Sequence, residues 1–263
     1  MSSRVSVRTT LVVVMALGVV TFGPPAVAGD VPAFTMEWTT NDGTVVYDWN
    51  QFGTLYGLGQ HQVEGNSQDW LGWRYEGNVV GLGWELEWNA VFNDQAGGLG
   101  AGGAFVTANI VVTNNDTTIQ NFSLLMTLPT GPLDALFERG SIVGTVTDLS
   151  QDDAMVSASA GGRIYTPMID GAPEAAGFLM IDPFSQSAGG SLQSAPVGPA
   201  SFGLPGLVLI SQSVDSSIGI ALDFDLTPGD SASFTSIFEV FVPAPAGLPV
   251  LAAIGLLSGR RRR

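Results

Sequence analysis

The chain has 263 residues, with 24 acidic side chains against nine basic ones, and it contains no cysteine. Six of the nine arginines lie in the terminal segments, so residues 29–241 carry three arginines, no lysine and a formal charge of −21. This composition excludes disulfide bonds and thiol catalysis, and it excludes nucleic acid as a partner, since phosphate binding needs clustered basic side chains.

The N-terminal segment predicts export. Arg4 and Arg8 give a positive start, residues 11–22 form an apolar run, and Ala28 ends an A-x-A cleavage site. The apolar run is too short for a membrane-spanning helix. We therefore expect a signal peptide over residues 1–28, removed by signal peptidase.

Residues 29–241 are typical of an all-β domain. Runs rich in Val, Ile, Thr and aromatic residues alternate with Gly, Asn, Asp, Pro and Ser. Trp84, Leu86 and Trp88 share one face of a strand, while Glu85 and Glu87 share the other, as in a half-buried antiparallel strand. We predict a single domain over 29–241, a two-sheet antiparallel β-sandwich of jelly-roll type.

Three local expectations follow along this domain. Residues 104–128 predict a β-hairpin, because Asn and Asp at 114–116 favour a tight reversal. Residues 133–138 are the one stretch considered for a helical turn. Residues 182–205, rich in Ser, Gly, Ala and Pro, predict a long surface loop.

An acidic loop suggests a metal site. Asp148, Asp152 and Asp153 lie close together in the sequence, and carboxylate oxygens suit Ca²⁺ in an extracellular setting. The spacing fits no EF-hand. A solvated acidic turn without an ion is the more common explanation of such a loop, so we predict no metal and no cofactor and keep the three aspartates as candidate ligands.

All six tryptophans lie between residues 38 and 88. Trp84 and Trp88 alternate with charged residues and are expected in the core. Trp70 and Trp73 lie in a Gly- and Asp-containing segment and are candidates for an exposed platform that stacks on sugar rings.

Catalysis has little support in the sequence. The single histidine, His61, lies in a polar segment, and no nucleophile motif accompanies it. Two carboxylate pairs, Glu85 with Glu87 and Asp223 with Asp225, have an i, i+2 spacing of about 6.5–7 Å on a strand. That spacing is near that of an inverting glycosidase, but acidic residues also alternate in this way on solvated strand faces. We therefore predict no catalytic residues.

The C-terminal segment carries a Pro-x-Pro motif, an apolar run over residues 246–257 and a terminal block of arginines. Its motif residues are Val242, Pro243, Ala244, Pro245, Arg260, Arg261, Arg262 and Arg263. This order resembles the PEP-CTERM sorting signal, with Pro-Ala-Pro in place of Pro-Glu-Pro. The apolar run predicts a short helix of about 21 Å, less than the roughly 30 Å hydrocarbon core.

The resemblance implies Sec export, transient retention in the inner membrane and recognition by an exosortase, a membrane-embedded protease or transpeptidase. An ordinary C-terminal anchor with arginines on the cytoplasmic side is the alternative. Both interpretations place the domain outside the cytoplasm. We expect it to be tethered to the inner membrane first and to lie at the cell surface or outside the cell afterwards.

The sequence thus favours an exported bacterial envelope or extracellular-matrix protein without catalytic activity. The alternative is a carbohydrate-binding or adhesive β-sandwich module, dependent on Ca²⁺ or not, with exopolysaccharide as a partner. An enzyme acting on polysaccharide is the third hypothesis.

Overall fold

The structure is a computed structural model. It describes residues 33–41, 43–48, 53–57, 60–63, 67–70, 72–93, 103–135, 137–190, 192–203, 206 and 208–241. The predicted signal peptide and the C-terminal segment, including its apolar helix and arginine block, lie outside the described residues. Within those residues, no helix has the length and apolar character needed to cross a membrane.

Sheet A is the larger of two antiparallel sheets. Its strands, among the described residues, are β1 (Thr35–Thr40), β2 (Gly43–Asp48), β9 (Gln120–Pro129), β11 (Ala154–Ser157), β12 (Arg163–Ile169), β13 (Ala172–Pro173), β14 (Leu179–Ile181), β15 (Ser185–Ala188) and β18 (Ser217–Leu226). The spatial order is β13-β12-β18-β9-β1-β2, with β11, β14 and β15 attached beside this path. A 3-10 turn, Ala175–Gly177, precedes β14.

Sheet B faces sheet A across the core. Its described strands are β3 (Gly53–Gly57), β6 (Trp73–Val80), β7 (Trp84–Asn93), β8 (Gly103–Asn114), β10 (Phe137–Thr147), β16 (Ser194–Phe202), β17 (Val208–Leu209) and β19 (Ser231–Phe241). The order is β16-β10-β19-β8-β7-β6-β3, and β17 also pairs with β10. A separate ribbon joins β4 (Gln60–Val63) to β5 (Ser67–Trp70).

Strict alternation places one face of each central strand in the core. In β9 every second residue from Gln120 to Leu128 is buried, and in β7 the buried residues include Trp84, Leu86 and Trp88. Because side chains alternate across a strand, the residues between them lie on the outer face of the sheet. The two-sheet antiparallel sandwich is confirmed, while the jelly-roll type stays a prediction.

A chain of aromatic rings joins the two sheets. Trp38 of β1 stacks on Phe122 of β9 at a centroid distance of 5.4 Å, and Phe122 lies 5.8 Å from Phe224 of β18. Phe224 then contacts Phe234 of β19, in sheet B, at 4.9 Å. These rings are at most 1% exposed, so the core between the sheets is continuous.

The predicted hairpin over residues 104–128 is wrong. Its two strands exist, but β8 pairs with β7 and β19 in sheet B, whereas β9 pairs with β1 and β18 in sheet A. The turn at 114–116 is therefore a crossover between sheets. Each strand buries one face, and these two faces line the core from opposite sheets.

Two further local expectations are also wrong. In place of a helical turn over 133–138, Leu133 forms a single bridge to Val214, and β10 begins at Phe137. Residues 182–205 contain β15 and β16 instead of forming one long loop. The nine-residue β16 lies at the edge of sheet B, where prolines such as Pro196 are tolerated because one side of the strand lacks a partner.

Candidate functional site

Three aspartates meet at one end of the sandwich, on two of the segments that cross between the sheets. Residues 148–153 lead from β10 of sheet B to β11 of sheet A, and residues 227–230 lead from β18 of sheet A to β19 of sheet B. In Asp148, Asp152 and Asp230, one carboxylate oxygen from each residue lies within 4.8 Å of the others. We call these three residues the acidic cluster.

Asp230 is fixed by hydrogen bonds from both crossover segments. Its Oδ1 accepts from the backbone N–H of Leu149 and from the Ser150 hydroxyl, each at 3.1 Å. Its Oδ2 accepts from the Thr227 hydroxyl at 2.6 Å. Since Asp230 is 0% exposed, these donors hold its carboxylate in one orientation inside the fold.

Asp148 is also 0% exposed, but its hydrogen bonding is incomplete. Its Oδ1 accepts from the backbone N–H of Gln151 at 2.6 Å. Its Oδ2 is buried and has no hydrogen-bond partner. Asp152, the third member, is exposed and accepts a hydrogen bond from Ser150. The cluster thus has two buried carboxylates and one open to solvent.

The structure changes the set of candidate metal ligands. Asp148 and Asp152 come together as expected, but the carboxylate of Asp153 instead accepts from the backbone N–H of Gly190 at 3.2 Å. Asp230 takes its place in the cluster. Sequence reasoning missed Asp230, because the turn at 227–230 lies 80 residues from Ser150 and only the tertiary fold brings them together.

The candidate sugar platform is not supported at Trp73. That side chain is 8% exposed and packs in the core, so it offers no ring face to solvent. Trp70 ends β5, and its side chain lies outside the described residues. Trp84 and Trp88 are buried, at 7% and 2% exposure, as predicted.

A polar groove crosses the outer face of sheet B. A cleft with a volume of about 450 Å³ lies over β6 and β7, lined by Arg74, Glu76, Asn78 and Asn89 among others. A smaller cleft of about 180 Å³ continues from Asn89 across β8 to β19. The two clefts adjoin, because both are lined by Glu87, Trp88 and Asn89 of β7, and we call them together the groove.

Hydrogen bonds between neighbouring strands order the side chains of this groove. Arg74 donates from Nε to Asn89 Oδ1 at 3.1 Å and pairs with Glu76 at 2.9 Å. Asn109 donates from its side-chain amide to the backbone carbonyl of Asn89 at 3.3 Å. Glu76 of β6 and Asn109 of β8 lie opposite Asn89 of β7 in the strand register. Thr235 of β19 lies opposite Asn109. These residues form a polar row on rigid strands.

The carboxylate pairs considered for catalysis lie apart on opposite sheets. Glu85 and Glu87 are exposed on the outer face of β7, and Glu87 lines the groove. Asp223 and Asp225 lie on the outer face of β18, where both accept hydrogen bonds from the side-chain amide of Asn121 at 3.0 Å. His61 lies in β4, and its side chain is outside the described residues.

A third pair of carboxyl groups, Glu138 of β10 and Glu174 after β13, is buried near Tyr165 of β12. Glu138 is 0% exposed, and neither of its carboxyl oxygens has a hydrogen-bond partner. Burial, followed by the nearby charge of Glu174, raises the pKa of Glu138 to about 8. Glu174 accepts from the Ser211 hydroxyl at 2.6 Å. Burial and then Glu138 also raise the pKa of Tyr165 well above its usual value. No local pattern in the chain predicts this pair, because its two members lie 36 residues apart.

Comparisons with known proteins identify no family. No family model and no curated protein matches the chain. Solved structures that align with it include a family 11 carbohydrate-binding module from Clostridium thermocellum in complex with a β-1,3-1,4-mixed-linked tetrasaccharide, and the same family's module from a cellulosomal cellulase of that organism. Both are 11% identical with a TM-score of 0.21, covering 74% and 72% of this chain and 99% and 98% of the modules. At this TM-score the similarity supports no inference about fold or ligand.

Proposed function

We propose that the chain is a non-catalytic exported protein of the bacterial cell envelope or extracellular matrix, and that it acts through the surfaces of its β-sandwich. The signal peptide over 1–28 and the sorting signal over 242–263 support export by the Sec machinery and handling by an exosortase. The strongly anionic body supports an extracellular role, because its net charge keeps the domain soluble and repels other anionic surfaces.

In this proposal the domain is tethered transiently to the inner membrane through residues 246–257. The four terminal arginines stay on the cytoplasmic side, since positive charges resist translocation. Processing at the Pro243-Ala244-Pro245 motif then releases the domain to the cell surface.

Mass spectrometry of the protein from its native cells tests this route. We expect an N-terminus at Gly29 and a C-terminus that lacks Arg263. Replacing Arg260, Arg261, Arg262 and Arg263 by alanine together should leave the C-terminus unprocessed. An intact Arg263 on protein recovered from the cell surface contradicts the sorting proposal.

The polar groove favours a second candidate function, carbohydrate binding. Sugar hydroxyl groups both donate and accept hydrogen bonds, and the groove offers guanidinium, carboxylate and amide groups in one row. Since these groups stand on β-strands and are held by cross-strand hydrogen bonds, little side-chain freedom is lost on binding. The groove row, from Arg74 and Glu76 through Asn89 to Asn109, is the single observation that carries this function.

Recognition in this groove would rest on hydrogen bonds, because the tryptophan that lines it, Trp88, is only 2% exposed. Acidic polysaccharides fit poorly, since Glu76 and Glu87 line the same groove and repel them. We therefore infer neutral polysaccharide as the ligand class.

Affinity gel electrophoresis with neutral soluble polysaccharides, followed by calorimetry on any that retard the protein, tests this function. We expect Asn109→Ala and Arg74→Ala each to weaken binding about tenfold, the effect of losing one or two hydrogen bonds. Asn115→Ala is the matched control, because Asn115 is an exposed asparagine in the turn after β8, outside the groove. Binding that survives both groove variants, or that Asn115→Ala also removes, contradicts the assignment of this groove.

A further inference from the structure

We propose that the acidic cluster of Asp148, Asp152 and Asp230 is a Ca²⁺ site that clamps the two sheets together at one end of the sandwich. The proposal is independent of the proposed function, since it rests on the cluster alone. Its ligands differ from the candidate ligands in the sequence, with Asp230 in the site and Asp153 outside it.

The negative charge of the cluster is uncompensated. Three carboxylates converge within 4.8 Å, and two of them are fully buried. The arginines of the described part of the chain are engaged elsewhere, Arg74 with Glu76, Arg139 with Glu239, and Arg163 over the ring of Phe178. Like charges this close repel each other, and no positive side chain offsets them here.

One carboxylate oxygen of the cluster lacks a hydrogen-bond partner. Asp148 Oδ2 is buried without a hydrogen-bond donor, whereas Oδ1 of the same carboxylate and both oxygens of Asp230 have donors. A buried carboxylate oxygen without a partner is costly, and native folds rarely leave one. A cation bound within the cluster supplies the missing partner and offsets the repulsion at the same time.

The chemistry of the donors selects the cation. The cluster offers carboxylate oxygens, with the Ser150 hydroxyl beside them, and no nitrogen or sulfur ligand. Hard oxygen donors suit Ca²⁺ or Mg²⁺. Ca²⁺ accepts an irregular shell of about six to eight oxygens, whereas Mg²⁺ needs a near-ideal octahedron, so loop carboxylates completed by water favour Ca²⁺. Exposed Asp152 gives the ion access from solvent, and water completes the coordination.

The position of the cluster determines what the ion does. Asp148 follows β10 of sheet B, and Asp230 ends the turn that follows β18 of sheet A. The backbone around Asp230 is already tied to β8, because the N–H of Asn114 donates to its carbonyl at 2.9 Å. Ca²⁺ joins the two crossover segments, so binding stabilises the folded sandwich and not only a surface loop.

Thermal unfolding of the purified protein, first treated with a chelator, tests the site. With Ca²⁺ at about a hundred times its Kd, we expect the unfolding midpoint to rise by about 5–10 °C. Calorimetric titration with CaCl2 should give one site per chain, and Mg²⁺ at the same concentration should give a smaller rise.

Single substitutions then locate the site. Asp148→Asn should abolish the Ca²⁺-dependent rise while leaving the chelator-treated protein at least as stable as the wild type, because it removes one of three repelling charges. Asp152→Asn, at an exposed position, should weaken Ca²⁺ binding at least tenfold without a folding defect.

Asp153→Asn is the matched control and should keep the full Ca²⁺ response, although it lies in the same loop. No rise with Ca²⁺ in the wild type overturns the proposal. A rise retained in both Asp148→Asn and Asp152→Asn, or lost in Asp153→Asn, overturns it as well.

Discussion

The side-chain amide of Asn114 donates to the backbone carbonyl of Leu226 at 2.9 Å, joining the end of β8 in sheet B to the end of β18 in sheet A. The same amide donates to the carbonyl of Thr118 at 2.9 Å, and its oxygen accepts from the N–H of Asp116 at 3.0 Å. One fully buried side chain therefore satisfies three backbone groups at the corner where the chain changes sheets.

Asn114→Ala should lower the free energy of unfolding by about 2–4 kcal/mol. The substitution leaves two carbonyls and one N–H near the core without partners, and each unsatisfied group costs about 1–3 kcal/mol before the corner relaxes. Urea denaturation measures the loss. Asn115→Ala, one residue further along and exposed, should stay within about 0.5 kcal/mol. Equal stability of the two variants would show that the corner does not depend on Asn114.

Stability should fall as the pH rises from about 4.5 to 8, because of Glu138. Its pKa in the folded state is about 8, against an ordinary value of 4.5, so the folded protein keeps a proton that the unfolded chain releases. Within that window the contribution of Glu138 to the free energy of unfolding drops by up to about 1.4 kcal/mol for each pH unit. Below pH 4.5 both states are protonated, and this loss is absent.

Glu138→Gln isolates that effect. Glutamine stays neutral at every pH, so the variant should be more stable than the wild type at pH 8 and similar to it at pH 4.5. Chemical denaturation at several pH values gives the difference between the two proteins. An unchanged pH slope in Glu138→Gln would contradict the assignment to this carboxyl group.

Gly219 is required by close packing within sheet A. A Cβ at this position in β18 would lie 2.5 Å from the backbone carbonyl oxygen of Met126 in β9. Since neither strand can move freely inside the sheet, Gly219→Ala should destabilise the fold by about 1–3 kcal/mol. Gly131→Ala is the control, because no atom lies within 4 Å of the added Cβ. Its midpoint of unfolding should be unchanged or slightly higher.

Phe224 connects the aromatic rings of the two sheets. It is 0% exposed and lies between Phe122 of sheet A and Phe234 of sheet B. Phe224→Ala should cost about 3–5 kcal/mol through lost burial and the cavity that remains. Ile119→Ala, at a side chain 53% exposed, should change stability by less than about 0.5 kcal/mol in the same denaturation experiment. A small loss for Phe224→Ala would mean that the sheets close around the cavity.

Local pattern was enough to predict β7 and its buried face. The alternation of Trp84, Leu86 and Trp88 with charged residues assigned both faces of β7 correctly, because side-chain direction in a strand depends only on position along it. Composition gave the wrong prediction for residues 182–205, where a long loop was expected and two strands are found. Ser, Gly and Pro are common in loops, but an edge strand such as β16 also accepts them.

The sequence by itself determined the all-β class, the two-sheet sandwich and the anionic, cysteine-free character of the domain, because these depend on local periodicity and on composition. Only the tertiary structure decided which strands pair. The polar residues at 114–116 favour a reversal whether the next strand joins the same sheet or the opposite one. For the same reason the fold alone placed Asp230 beside Asp148: the two lie in separate crossover segments, and their proximity depends on sheet pairing, which no local pattern specifies.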